Sequence, residues 1–89
     1  MNLRQIEIFL SVVEHGGFSA AARGSLLTQS TISQHIAALE QELGVQLLER
    51  SRNGVLLTEP GRLLQRHARR LMGEFKATEA AFRRMCGLE

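Results

Sequence analysis

The sequence predicts a mainly α domain: three short helices, a two-stranded hairpin, then one long helix. Three observations carry that expectation. Apolar residues recur at helical steps in two early segments with a short alanine-rich one between them, each of the three bounded by a cap residue and a glycine. Asn53-Gly54 stands between two short apolar runs, a strong hairpin signal because both residues tolerate positive φ. From Glu59 onward only Gly73 interrupts a continuous helical pattern.

Asn2 is placed to cap the first helix, with Leu3, Ile6, Phe9, Leu10 and Val13 as its apolar stripe and His15-Gly16-Gly17 as its end. Phe18-Ser19 then has the arrangement of a hydrophobic staple, with Ser19 as the cap of a short Ala20-Ala21-Ala22-Arg23 helix. Gly24-Ser25-Leu26-Leu27 makes a turn. Thr28 caps the third helix, whose stripe is Ile32, Ile36, Leu39 and Leu43, and Gly44 stops it. Two helices joined by a tight turn, over about residues 18–37, form the helix-turn-helix pattern, although any three-helix bundle shares these stripes. Val45 to Arg50 and Val55 to Thr58 are the expected strands of a wing over about residues 46–58.

Thr58 caps the last helix, Glu59 favours its positive end, and Pro60 is tolerated in its first turn. Leu64, Ala68, Leu71, Phe75, Thr78, Phe82 and Met85 alternate steps of four and three, a heptad seam. A helix of about 25 residues is ~38 Å long, more than so small a domain covers. A second copy of the chain is the expected partner for the far half. The predicted organisation is therefore residues 1–58 as a winged helix-turn-helix and 59–89 as a linker helix that pairs two protomers.

Composition narrows the function. The chain has 89 residues and a net charge of +2, and Cys86 is its one cysteine, which excludes a disulfide scaffold. No apolar run reaches the length of a membrane span and no signal-peptide core follows the N-terminus, so the expected location is cytoplasmic. Charge is unevenly spread. Residues 1–44 carry two arginines against four glutamates, whereas residues 45–72 carry six arginines against two. Arginine forks onto phosphates and enters narrow minor grooves. His15, His35 and His67 are scattered, and neither a metal-site spacing nor a phosphate loop nor a nucleophile motif is present. No catalytic residue, metal or cofactor is expected.

On the third helix, Gln29, Ser30, Thr31, Ser33 and Gln34 lie off the apolar stripe and are uncharged. Gln pairs bidentately with adenine, and Ser or Thr with several base edges. These five are the candidate base readers, against the alternative of a merely solvated face. Thr28, Arg50, Arg52, Asn53, Arg62 and Arg66 are the candidates for DNA backbone or minor-groove contact.

Residues 1 to about 71 resemble the N-terminal region of LysR-type transcriptional regulators. The resemblance rests on Phe9, Gly17-Phe18-Ser19-Ala20-Ala21-Ala22, Thr28-Gln29-Ser30-Thr31-Ile32-Ser33, Ile36, Leu39-Glu40, Glu42-Leu43-Gly44, Leu47, Glu49-Arg50 and Leu57-Thr58-Glu59-Pro60-Gly61. It implies a bacterial regulator that binds double-stranded DNA at an inverted repeat as a homodimer. The recognition helix would face the major groove, with Arg52 and Asn53 on the wing. It also implies a C-terminal effector-binding domain outside this chain, which would be the only route for a small-molecule effector. The expectation is thus a segment cut from a longer protein, with a truncated relative of the family as the alternative. Three departures stand out: Ser25 where the family has Leu, Gln34 where Arg is frequent, and Leu48 for a common Phe. Gln34 trades guanine reading for a possible adenine contact. The competing reading is a helical protein-interaction module built on the Phe75/Phe82 seam; an enzyme ranks third.

Overall fold

The computed structural model describes residues 1–87. The first helix, α1 (Leu3–His15), starts on a reciprocal cap: the Asn2 side chain accepts from the Gln5 N–H, and the Gln5 side chain accepts from the Asn2 N–H. Gly16 ends it in the left-handed conformation at φ 83. The buried face is wider than the expected stripe. Ile8 and Val12 join Ile6, Phe9 and Leu10 inside, while Leu3 is exposed and Val13 only half-buried. The reason is position: α1 packs against every other helix and the second hairpin strand, so more than one stripe finds a partner.

The second helix, α2 (Phe18–Arg23), departs from expectation at its start. Gly17 is the N-cap and no side chain caps the helix. Phe18 drops into the core as the first helical residue, which leaves Ser19 facing outward. Burying an aromatic ring outweighs one capping bond. Ala21 is fully buried, letting α1 and α3 approach closely.

In α3 (Gln29–Leu43) the Thr28 hydroxyl accepts from the Thr31 N–H, and Gly44 closes the helix at φ 73. Ile32, Ile36 and Leu39 are buried as expected. Leu43 is not, because the last turn runs past the core.

The hairpin pairs β1 (Leu48–Ser51) with β2 (Gly54–Leu57), antiparallel, with Leu48 opposite Leu57 and Ser51 opposite Gly54. It is shorter than the expected 46–58, and its turn residues are Arg52 and Asn53 rather than Asn53 and Gly54. Asn53 does not take positive φ; Gly54 does, at 130. Glycine is needed there for a second reason: a Cβ would lie 2.0 Å from the Gly16 carbonyl oxygen. That same carbonyl accepts from the Val55 N–H at 3.3 Å, joining the wing to the α1–α2 turn.

Two side chains fix the approach to the wing. The Glu40 carboxylate accepts from the N–H groups of Leu47 (2.7 Å) and Leu48 (3.2 Å). The Thr58 hydroxyl donates to the Gln46 carbonyl at 2.6 Å and accepts from the Gly61 N–H at 3.0 Å, capping α4 (Glu59–Met85). A Cβ on Gly61 would lie 2.1 Å from the Leu47 oxygen, so α4 starts in direct backbone contact with the segment before β1.

Along α4 the heptad seam divides. Leu64 and Ala68 are buried in the core of their own protomer, where α4 packs on α1 and β2, and Met72 is partly covered by it. These first two seam positions are therefore committed within the chain, contrary to expectation. Helical period alone does not say which neighbour covers each step. Beyond Gly73, which does not interrupt the helix, Phe75, Thr78, Phe82 and Met85 are exposed.

Candidate nucleic-acid interface

With Ile32, Ile36 and Leu39 turned inward, an advance of about 100° per residue puts Ser30, Gln34, Ala37 and Gln41 on the opposite side of α3. All four are exposed. Ser30 and Gln34 are thus the polar side chains of the outermost face in the first two turns. Neither side chain makes a hydrogen bond among the described residues, so both keep their full donor and acceptor capacity.

The remaining candidates lie on the flanks and are already engaged. Thr31, half-buried, accepts from the Thr28 hydroxyl at 2.9 Å. On the other flank, the Ser19 hydroxyl of α2 donates to the Gln29 side-chain carbonyl at 2.9 Å. One turn further along the same flank, Arg50 Nη2 donates to the Ser33 hydroxyl at 3.0 Å. The Arg50 guanidinium also lies 3.9 Å from the centroid of the buried Phe18 ring, a cation–π contact. Arg50 is accordingly folded back on α3 and α2 rather than extended near the hairpin tip.

Arg52 and Asn53 occupy the tip and are exposed. A shallow groove between α2, the start of α3 and the hairpin is lined by Ser19, Arg23, Gln29, Arg50, Ser51 and Arg52. Three arginines therefore line the groove on the Gln29 flank of the outward helix. Arg62 and Arg66 are not among them. They line a separate, largely apolar groove with Met1, Leu43, Val45 and Leu63, where Arg62 also donates to the Leu57 carbonyl at 3.3 Å.

Sequence reasoning missed Ser19 and Arg23 as members of this surface. Ser19 was spent on the expected cap, and Arg23 is the one cation of α2. A signal existed, since a hydroxyl freed from capping so close to a helix turn must face the following helix or solvent. Among the described residues, no group of three or more His, Cys, Asp or Glu side chains gathers to hold a metal, and no helix is long and apolar enough to cross a membrane.

Residues 3–62 match the family model described as bacterial regulatory helix-turn-helix protein, lysR family. Among curated relatives, the HTH-type transcriptional regulator CfxR of Cupriavidus necator is 42% identical over 79 residues, covering 89% of this chain and 25% of CfxR. The HTH-type transcriptional activator AaeR of Escherichia coli K12 is 44% identical over 72 residues, covering 81% of this chain and 23% of AaeR. The chain thus spans about a quarter of the length of these relatives. Two solved structures are similar over nearly their whole length. The DNA-binding domain of BenM bound to catB site 1 DNA has a TM-score of 0.91 and 34% identity, with 97% of each chain covered. The CbnR DNA-binding domain in complex with DNA has a TM-score of 0.82 and 36% identity, with 100% of each chain covered. From the matched span and these similarities, the chain belongs to the LysR family of bacterial regulatory helix-turn-helix proteins.

Proposed function

We propose that this chain is the sequence-specific, double-stranded-DNA-binding module of a bacterial transcriptional regulator. The observation that carries the reading is α3: its buried side is aliphatic, its outer side offers uncombined Ser30 and Gln34, and Arg23, Arg50 and Arg52 line the groove on its Gln29 flank. A helix of this width fits a B-DNA major groove, and amide and hydroxyl groups pair with base edges there. Arg52 and Asn53 on the hairpin tip are placed for phosphate or minor-groove contact, and Thr28 for the backbone beside the helix start. Arg62 and Arg66 add long-range attraction from a neighbouring face.

Residues 1–58 form the reading module in this account, and α4 (Glu59–Met85) the linker helix; residues 88–89 of the expected 59–89 segment lie outside the described residues. Support for pairing comes from the free half of α4, where Leu71, Phe75, Phe82 and Met85 are 45%, 41%, 61% and 80% exposed. A contiguous apolar stripe on one exposed helix marks an interaction surface. A second copy of the same helix offers a matching stripe, and two-fold pairing gives two reading helices for an inverted repeat. The module carries out no catalytic step and works in the cytoplasm, where the DNA is. Any small-molecule effector acts through a domain outside this chain.

The test is selection of bound duplexes from a random pool, then titration of the enriched duplex and a scrambled control at two salt concentrations. Enrichment of an inverted repeat bound at least a hundredfold more tightly than the control supports the reading. Equal, salt-sensitive binding to both refutes it.

A further inference from the structure

We propose that Arg50 is a positioning residue: it sets the hydrogen-bonding state in which Ser33 meets DNA, and so helps determine specificity from the wing. The proposal rests on the reading of α3 as the base-reading helix.

A serine hydroxyl has one O–H and two lone pairs, and a guanidinium can only donate. The 3.0 Å contact from Arg50 therefore occupies one lone pair of the Ser33 oxygen and leaves its O–H and a second lone pair for a ligand. The adjacent positive charge decides between them. It strengthens the hydroxyl as a donor and repels an approaching amino group. In the major groove the matching partners are the acceptors guanine O6 and N7, adenine N7 and thymine O4, not the amino groups of cytosine or adenine.

Arg50 is itself held. Its guanidinium stacks on Phe18, 3.9 Å from the centroid of a ring that is buried at the start of α2. Among the described residues no carboxylate lies within ion-pairing distance of it, so Phe18 and Ser33 are its partners. One side chain on β1 thereby touches both helices of the helix-turn-helix. Lysine cannot reproduce this, since an ammonium lacks the planar face and the fork.

The experiment uses the selected duplex, its single-base-pair variants and the scrambled control, with wild type, Ser33→Ala, Arg50→Met, Arg50→Lys and the Ser33→Ala/Arg50→Met double variant. Arg50→Met keeps an unbranched stem over Phe18, and thermal unfolding verifies that each variant folds. The expected result is that Ser33→Ala and Arg50→Met flatten the preference at the same base pair, each about five- to tenfold, and that the double variant loses no more. Arg50→Lys fails to restore it, and the salt slope of Arg50→Met stays at the wild-type value. Uniform loss by Arg50→Met on every duplex, with the slope falling by about 0.9, makes Arg50 a phosphate contact and overturns the proposal. Additive losses at different base pairs also overturn it. A wild-type protein that does not distinguish the selected duplex from the control refutes base reading itself, and this proposal with it.

Discussion

Gly54 and Gly16 meet so closely that a methyl group on Gly54 would stand 2.0 Å from the Gly16 carbonyl oxygen. The wing is thereby clamped to the turn that ends α1, and the Val55 N–H bond to the same carbonyl holds the contact. Gly54→Ala adds this clash to a backbone at φ 130, where side chains are rarely accommodated. The expected cost is roughly 2–3 kcal/mol, a fall in melting temperature of more than about 10 °C. Thermal unfolding by circular dichroism checks it; an unchanged midpoint would mean that the wing separates freely from α1.

Glu40 predicts a second stability effect. Its carboxylate is the acceptor for two consecutive backbone N–H groups, those of Leu47 and Leu48, where the chain passes from α3 to the wing. Glu40→Ala strands both donors beside the buried Leu47 and costs about 1–3 kcal/mol. Glu40→Gln keeps one acceptor oxygen and costs less. Urea unfolding of the two variants should rank them in that order.

Phe75 tests the pairing surface without disturbing the core, because it lies beyond the part of α4 that packs on the domain. Phe75→Asp should leave the melting of the isolated domain nearly unchanged while converting the dimer to monomer at micromolar concentration. Burying an unpaired carboxylate in an apolar seam is strongly unfavourable. Sedimentation velocity reads this directly, and a variant that remains dimeric moves the interface elsewhere.

Arg52 separates phosphate attraction from base reading. It is exposed at the hairpin turn and has no hydrogen-bond partner among the described residues. Arg52→Ala should weaken binding to selected and scrambled duplexes alike and reduce the salt slope by about 0.9. A loss confined to the selected duplex would give Arg52 a base-reading or shape-reading role instead.

Local chemistry was legible in the sequence, and contacts distant along the chain were not. The caps Asn2, Thr28 and Thr58 and the stops Gly16 and Gly44 depend on neighbours three or four residues away, and all five stand as expected. Ser19 was misplaced because its local role as a cap lost to the burial of Phe18, a tertiary effect. The requirement for glycine at position 54 comes from Gly16, and the state of Ser33 from Arg50; neither partner is visible to a pattern of periods and turns. The α4 seam shows the same limit. Leu64 and Ala68 continue a regular heptad with Phe75 and Phe82, yet the first pair faces its own domain and the second faces outward. The candidate base readers came from one helix face, whereas the folded chain separates uncombined Ser30 and Gln34 from Gln29, Thr31 and Ser33, which are held by neighbours.

That separation makes Gln34 the most direct probe of the central claim that the outer face of α3 reads bases. The measurement is the ratio of affinities for the selected and scrambled duplexes, in wild type and in Gln34→Ala, at one salt concentration. Loss of a bidentate amide contact is worth about 1–3 kcal/mol of discrimination. The ratio should be at least about fivefold lower in the variant, with affinity for the scrambled duplex unchanged. An unchanged ratio, or equal weakening on both duplexes, would contradict it.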